Sequence, residues 1–290
     1  NCAARRMSLL IWSSYKQSLA AIRASALLLA NRANLVSTRR NSCSGRRPAQ
    51  WRQGAMTNST IEQKTKESRR SSAGPSSSVS GQSNEPGPDC PLCPRLKDYR
   101  EANRAQHPHW FNAPVYSFGP IDAQLLIVGL APGLQGANRT GRPFTGDFAG
   151  DLLYATLLDT GFAQGSYEAR PDDGLTLMDC RITNAVRCVP PQNKPLPAEI
   201  KTCRPFFNAT LDEMPRLRAV VMLGRVAHDT TLKTLGVRAA DAPFAHGAQH
   251  QTGSLRLFDS YHCSRYNTNT GVLTPQMFRA VFASVQNYLG

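Results

Sequence analysis

The sequence predicts an α/β fold in which a parallel sheet is covered by helices on both faces. Three observations carry the prediction. Short apolar runs alternate with longer helical patterns from residue 89 onward. The runs are those of buried strands, rich in Leu, Ile and Val. The polar, Gly- and Asn-rich stretches 129–147, 184–193 and 260–274 each follow such a run. Sites in open α/β sheets lie there, beyond the carboxyl ends of the strands.

Each element has its own justification. Residues 124–128 (QLLIV) form the first strand, stopped by Gly129 and followed by the long loop GLAPGLQGANRTGRPFTGD. Residues 150–160 form a helix, because Leu152, Leu153, Leu157 and Leu158 fall at helical spacing. Residues 181–186 (RITNAV) are the second strand. Pro197 opens a helix that runs to Met214. Residues 218–223 (RAVVML) are the third strand, with a helix after Gly224, and residues 255–259 (LRLFD) are the fourth. Thr274 caps a last helix whose first residue is Pro275. Met277, Phe278, Val281, Phe282, Val285 and Leu289 give that helix one apolar face.

The chain has 290 residues and a net charge of +14, which makes a polyanion a natural partner. The charge is uneven: residues 1–60 hold ten Lys and Arg and no acid, whereas residues 90–290 are only mildly basic, at +4. The Arg-, Ser- and Ala-rich first 60 residues have the composition of an organelle transit peptide. An equally good reading takes part of the segment as upstream sequence that is never used, with Met7 and Met56 both possible starts. The first reading predicts a mitochondrial protein and the second a cytoplasmic, nucleoid-associated one. Residues 61–88 are Ser/Gly/Pro-rich and read as a disordered linker. Residues 1–88 are therefore set apart as leader and linker, and 89–290 as one domain. No apolar run reaches the ~18–20 residues of a membrane span, and Leu19–Ala30 is broken by Arg23.

Eight cysteines are too few for a disulfide-dense scaffold. Cys90 and Cys93 form C-P-L-C, and Cys188 and Cys203 bracket a Pro-rich loop. Two such pairs can converge on tetrahedral zinc or on a four-iron cluster, or remain buried thiols. Cys180 and Cys263 adjoin strands and read as core. The pairs His107/His109 and His246/His250 look like half metal sites, but the cysteines already supply a complete ligand set.

Four segments then speak together. G-L-A-P-G (129–133), N-R-T-G-R-P-F-T-G-D (138–147), T-N-A-V-R-C (183–188) and Y-H-C-S-R-Y-N-T-N-T-G (261–271) resemble the motifs of iron–sulfur uracil-DNA glycosylases. Their order and spacing match from Cys90 to the C-terminus. The family 5 (type B) branch is favoured, because Leu130 stands where family 4 has Glu, although Gly133 is the residue family 4 carries. The resemblance implies a three-layer α/β/α fold with a four-stranded parallel sheet, like that of other uracil-DNA glycosylases. It also implies a [4Fe–4S] cluster on Cys90, Cys93, Cys188 and Cys203, a monomer, and DNA containing uracil or other deaminated bases as partner.

The implied reaction is hydrolysis of the bond between base and deoxyribose, with an oxocarbenium-like sugar and an anionic leaving base. The base must be flipped from the duplex into a pocket. Phe144 is the candidate stacking wall. Asn184 is the candidate reader: its amide accepts from uracil N3–H and donates to O4, the reverse of what cytosine needs. His262 would stabilise the leaving base, with backbone donors after Ala131. Ala131 supplies no base, so Asn138 is expected to orient the water, and Asp147 is the nearest carboxylate in sequence. Gly133, in place of a bulky aromatic, predicts a pocket roomy enough for 5-substituted bases. Arg139 and Arg142 are expected at phosphates, and Arg265 and Tyr266 on a loop that enters the duplex. Lys194, beside the second loop, is the one lysine near the site, so a lyase step is not expected. The rivals are a family 4-like enzyme of narrower specificity, an inactive metal-stabilised nucleic-acid-binding module, and a zinc enzyme.

Overall fold

The computed structural model of the chain describes residues 84–290. Residues 1–83, with the leader and most of the linker, lie outside the described residues. The folded part starts earlier than residue 89. Glu85 accepts a hydrogen bond from the Ser117 backbone N–H at 2.9 Å and meets Arg187 at 3.2 Å. Residues 84–88 therefore belong to the domain rather than to the linker.

The first helix among the described residues, α1 (Pro94–Gln106), starts on a proline whose missing N–H costs nothing there. Next come β1 (Leu125–Gly129), the single turn α2 (Ala137–Thr140) and α3 (Phe148–Asp159). A short antiparallel pair, β2 (Ala163–Gln164) and β3 (Thr176–Leu177), precedes β4 (Cys180–Asn184). Helix α4 (Pro197–Asp212), β5 (Ala219–Leu223) and α5 (Arg225–Leu235) follow. The chain closes with β6 (Gln249–Thr252), β7 (Leu255–Ser260), the short α6 (Arg265–Asn269) and α7 (Pro275–Leu289). Thr274 caps α7 as expected: its hydroxyl accepts from Met277 N–H at 3.2 Å.

The main sheet has the order β4-β1-β5-β7-β6. Its first four strands are parallel, as the sequence predicts. The expected four-stranded sheet gains an antiparallel fifth strand at its edge, β6, hydrogen-bonded to β7. Helices cover both faces. Leu125, Ile127, Ile182, Val221 and Phe258 pack against α3 and α7 through Leu153, Leu157, Phe278 and Phe282. Leu126, Val128, Val220, Met222 and Leu257 pack against α4 and α5 through Phe207, Ala227 and Leu232. This is the three-layer α/β/α architecture. Strands buried on both faces explain the continuous apolar runs. They also place Gly129, Asn184, Leu223 and Ser260 in one row of carboxyl ends, so the loops that follow are gathered at one edge of the sheet.

No helix among the described residues is long and apolar enough to cross a membrane.

Candidate active site

A cavity of about 410 Å³ opens above this row of strand ends. It is walled by the loop after β1 (Leu130 to Gly133), by Phe144 and Asp147, by Asn184, and by His262 with Arg265.

Gly129 makes the floor possible. It pairs with Asn184 across the β1/β4 ladder. A Cβ at Gly129 would collide with the Asn184 amide oxygen and come within 2.7 Å of the Phe144 ring. The bare backbone lets both side chains close over the end of β1. Asn184 is buried, and its Oδ1 has no hydrogen-bond partner. A buried acceptor left open inside a cavity is costly unless a ligand donor reaches it.

Phe144 holds a left-handed backbone, φ 52°, a conformation costing a bulky residue roughly 1–3 kcal/mol. The surroundings impose it. Tyr167 Oη donates to the Phe144 carbonyl at 3.2 Å, and Tyr154 Oη to the Pro143 carbonyl at 2.6 Å. Arg142 contributes from below. Contrary to the expected phosphate contact, Arg142 is only 5% exposed. Its guanidinium makes two hydrogen bonds to Asp173, at 2.8 and 2.7 Å, and a third, from Nε, to Thr145 Oγ1 at 2.7 Å. It also lies against Phe118, Tyr154 and Tyr167. The pairing holds the Asp173 carboxyl well below the usual carboxylate range. Arg142 is a strut for the Phe144 loop, not a DNA contact.

His262 faces Phe144 with 6.0 Å between ring centroids. Asn267 Nδ2 fixes its backbone by donating to the His262 carbonyl at 2.8 Å. Burial depresses the imidazole pKa to about 4. At neutral pH the ring is uncharged and carries one N–H to donate.

Asp147 is the carboxylate of the cavity. It caps α3, accepting from Gly150 N–H at 3.2 Å through Oδ1. Burial raises its pKa against the opposing effect of the backbone N–H groups. Its Oδ2 lies 2.8 Å from where a Gly133 Cβ would stand. A side chain at Gly133 would therefore run into the Asp147 carboxylate.

Asn138 does not line the cavity. It is buried in α2, where its Nδ2 donates to Asn112 Oδ1 at 2.9 Å. Its neighbour Ala137 faces the cavity instead. Of the two residues weighed for orienting the water, Asp147 lines the cavity and Asn138 does not. Asn193 is a wall the sequence reading missed. It sits in the 3-10 turn Pro191–Asn193 with φ 56°, a region Asn tolerates. The P-Q-N-K-P spacing marked a turn but not which side chain it presents.

At the rim, Arg265 stacks over Phe148, 5.3 Å from the ring centroid, and Tyr266 is 74% exposed. Arg139 is exposed beside the Gly146 carbonyl, at 3.4 Å. These three remain free to meet a backbone or a groove.

The comparisons with known proteins agree with this geometry. A family model described as "Uracil DNA glycosylase superfamily" matches residues 116–286. A type-5 uracil-DNA glycosylase of Thermus thermophilus is 43% identical over 209 residues, covering 69% of this chain and 94% of that protein. A Mycobacterium bovis protein of the same name is 41% identical over 69% of this chain and 78% of its own length. The chain belongs to the uracil DNA glycosylase superfamily, in its type-5 branch. Pyrobaculum aerophilum gives a direct contrast between branches. Its type-5 protein is 38% identical, with 86% of that protein covered, and its type-4 protein 31%, with 63% covered.

In this superfamily member the four predicted cysteines converge. Cys90 and Cys93 at the start of α1, Cys188 after β4 and Cys203 in α4 line one small cavity beside Leu96 and Phe206. All are free thiols. Burial pushes the pKa of Cys93 up, that of Cys188 to about 12 and that of Cys203 to about 11. Among the described residues, no group of three or more His, Cys, Asp or Glu is arranged to hold a single metal ion.

Proposed function

We propose that this chain is a DNA glycosylase that hydrolyses the N-glycosidic bond of uracil in DNA and leaves an abasic site. The observation that carries the reading is one cavity combining an aromatic wall, an open amide acceptor, a neutral imidazole and a carboxylate. Phe144 offers a face for a flipped base. Asn184 Oδ1 accepts from uracil N3–H, and its amide N–H donates to O4. His262, neutral, donates to the base as it leaves with negative charge. A neutral donor stabilises the developing anion without binding anions in the ground state. Asp147 orients the water and faces the oxocarbenium-like sugar. Among the described residues no amine lines the cavity, and on this reading the reaction ends at the abasic site. The test is release of free uracil from a duplex with one U:G pair, followed by strand cleavage only after alkali. Cleavage without alkali, or no uracil release, contradicts the reading.

The cysteine cavity is read as the seat of a [4Fe–4S] cluster held by Cys90, Cys93, Cys188 and Cys203. Four free thiols from three chain segments meet at one cavity. Zinc, at about 2.3 Å from each sulfur, would take the same four donors in a tighter grouping. A cube of four irons spreads its thiolates farther apart. The Arg187 backbone N–H already points at Cys203 Sγ, 3.3 Å away. When bound, the cluster would cross-link α1, the loop after β4 and α4. Iron and acid-labile sulfide in equal amounts, about four each per chain, are the expected analysis of the purified protein. Zinc without sulfide would overturn it.

A further inference from the structure

Arg100 is the unusual residue of the cysteine cavity. It lies on α1, about two turns past the C-P-L-C pair, and is 2% exposed. A buried guanidinium ordinarily needs a carboxylate. Glu101, its neighbour in sequence, pairs with Lys97 at 3.2 Å, and Asp89 is engaged by Arg104 at 2.6 Å. Arg100 donates instead to the Cys90 carbonyl at 3.0 Å and to Cys188 Sγ at 3.6 Å, and its Nε has no partner. As a thiol, Cys188 is neutral and offers this cation no opposite charge. The other buried arginine here, Arg187, differs: it has Glu85 at 3.2 Å.

We infer that Arg100 is the counter-charge of the metal-bound thiolates, a positioning residue that holds Cys188 and stabilises the more negative state of the cluster. The inference rests on the cluster reading above. Four thiolates on a [4Fe–4S] core of charge 2+ carry a net 2−, and one-electron reduction makes it 3−. A fixed cation against one sulfur favours the reduced form more, because attraction grows with the charge it faces.

The test uses the full chain with Arg100→Lys and Arg100→Gln. Iron and sulfide content is measured first, then redox titration followed by the visible absorption and the electron paramagnetic resonance of the reduced cluster. The expectation for Arg100→Gln is retained iron, with the ratio of reduced to oxidised cluster at a fixed potential lowered about tenfold. That is a shift of about 59 mV for one electron. Arg100→Lys, which keeps the charge and loses the fork, should recover most of the potential. If wild type carries no iron or sulfide, the cluster reading itself fails. If iron is present and both variants titrate like wild type, the cluster stands and the role of Arg100 is refuted. Should Arg100→Gln lose its iron, Arg100→Lys decides alone: a potential within experimental error of wild type supports the charge role, and one shifted as far as tenfold opposes it.

Discussion

His262 gives the sharpest quantitative prediction. Its pKa falls from 6.5 to about 4 because burial disfavours the imidazolium. The unfolded chain binds that proton near pH 6.5, whereas the folded chain refuses it until about pH 4. The contribution to stability is therefore complete above pH 6.5 and is lost as the pH falls through that window. At about 1.4 kcal/mol per pH unit, the loss comes to about 3 kcal/mol by pH 4, an appreciable share of the roughly 5–15 kcal/mol that stabilises a domain. Below pH 4 it stops growing. The perturbation is His262→Gln, which fills similar space without titrating. Guanidinium denaturation of both proteins at half-unit steps from pH 7.5 to 4 isolates the effect, because every other titrating group, His246 and Asp147 included, cancels in the difference. The stability of wild type relative to the variant should decline steadily across pH 6.5 to 4. Parallel pH profiles would show that His262 titrates like an exposed histidine, and the neutral-donor argument would fall with them.

Three further outcomes follow from the site. Asp147→Asn keeps the cap on α3 but removes the water-orienting charge, so single-turnover excision should slow by roughly 10²–10⁴ with DNA affinity unchanged. A slowdown below threefold would return the water to another group. Gly129→Ala should push Asn184 and Phe144 apart and lower kcat/KM more than it lowers Tm, as read by calorimetry beside kinetics; the opposite order would deny Gly129 its place beneath the site. Arg142→Met leaves Asp173 buried without its partner and should cost roughly 3–5 kcal/mol in urea denaturation. It should also leave the salt dependence of DNA binding unchanged, whereas Arg139→Ala should flatten that slope by about one unit of log K against log salt.

Much of the fold was legible because its strands are buried on both faces. Five-residue runs such as Leu125–Gly129 and Ala219–Leu223 have no exposed position to disguise them. The Thr274–Pro275 start of α7 could be placed by capping chemistry alone. What escaped were elements with polar inner faces. Helix α1 buries Leu96, Arg100 and Asn103, so its inward stripe reads as solvent-facing. The edge strand β6 is QHQT, with only alternate residues partly covered. At the site, Phe144, Asn184 and His262 were readable because each stands in a motif directly after a strand. Asn138 was not, because its role depends on the rotation of one helical turn. About 100° separates neighbours on a helix, which turns Ala137 to the cavity and Asn138 to Asn112. Arg142 could not be told from Arg139 until Asp173, 31 residues further on, was seen to claim it. Long-range partners of this kind leave no local signature in a sequence.

The measurement that bears most directly on the central claim is single-turnover excision from a U:G duplex by wild type and His262→Ala, with duplex binding measured on both. The account predicts uracil release by wild type and a fall of about 10²–10³ in the variant at equal affinity for DNA. Equal rates in the two proteins, or a duplex bound by wild type with its uracil untouched, would contradict it.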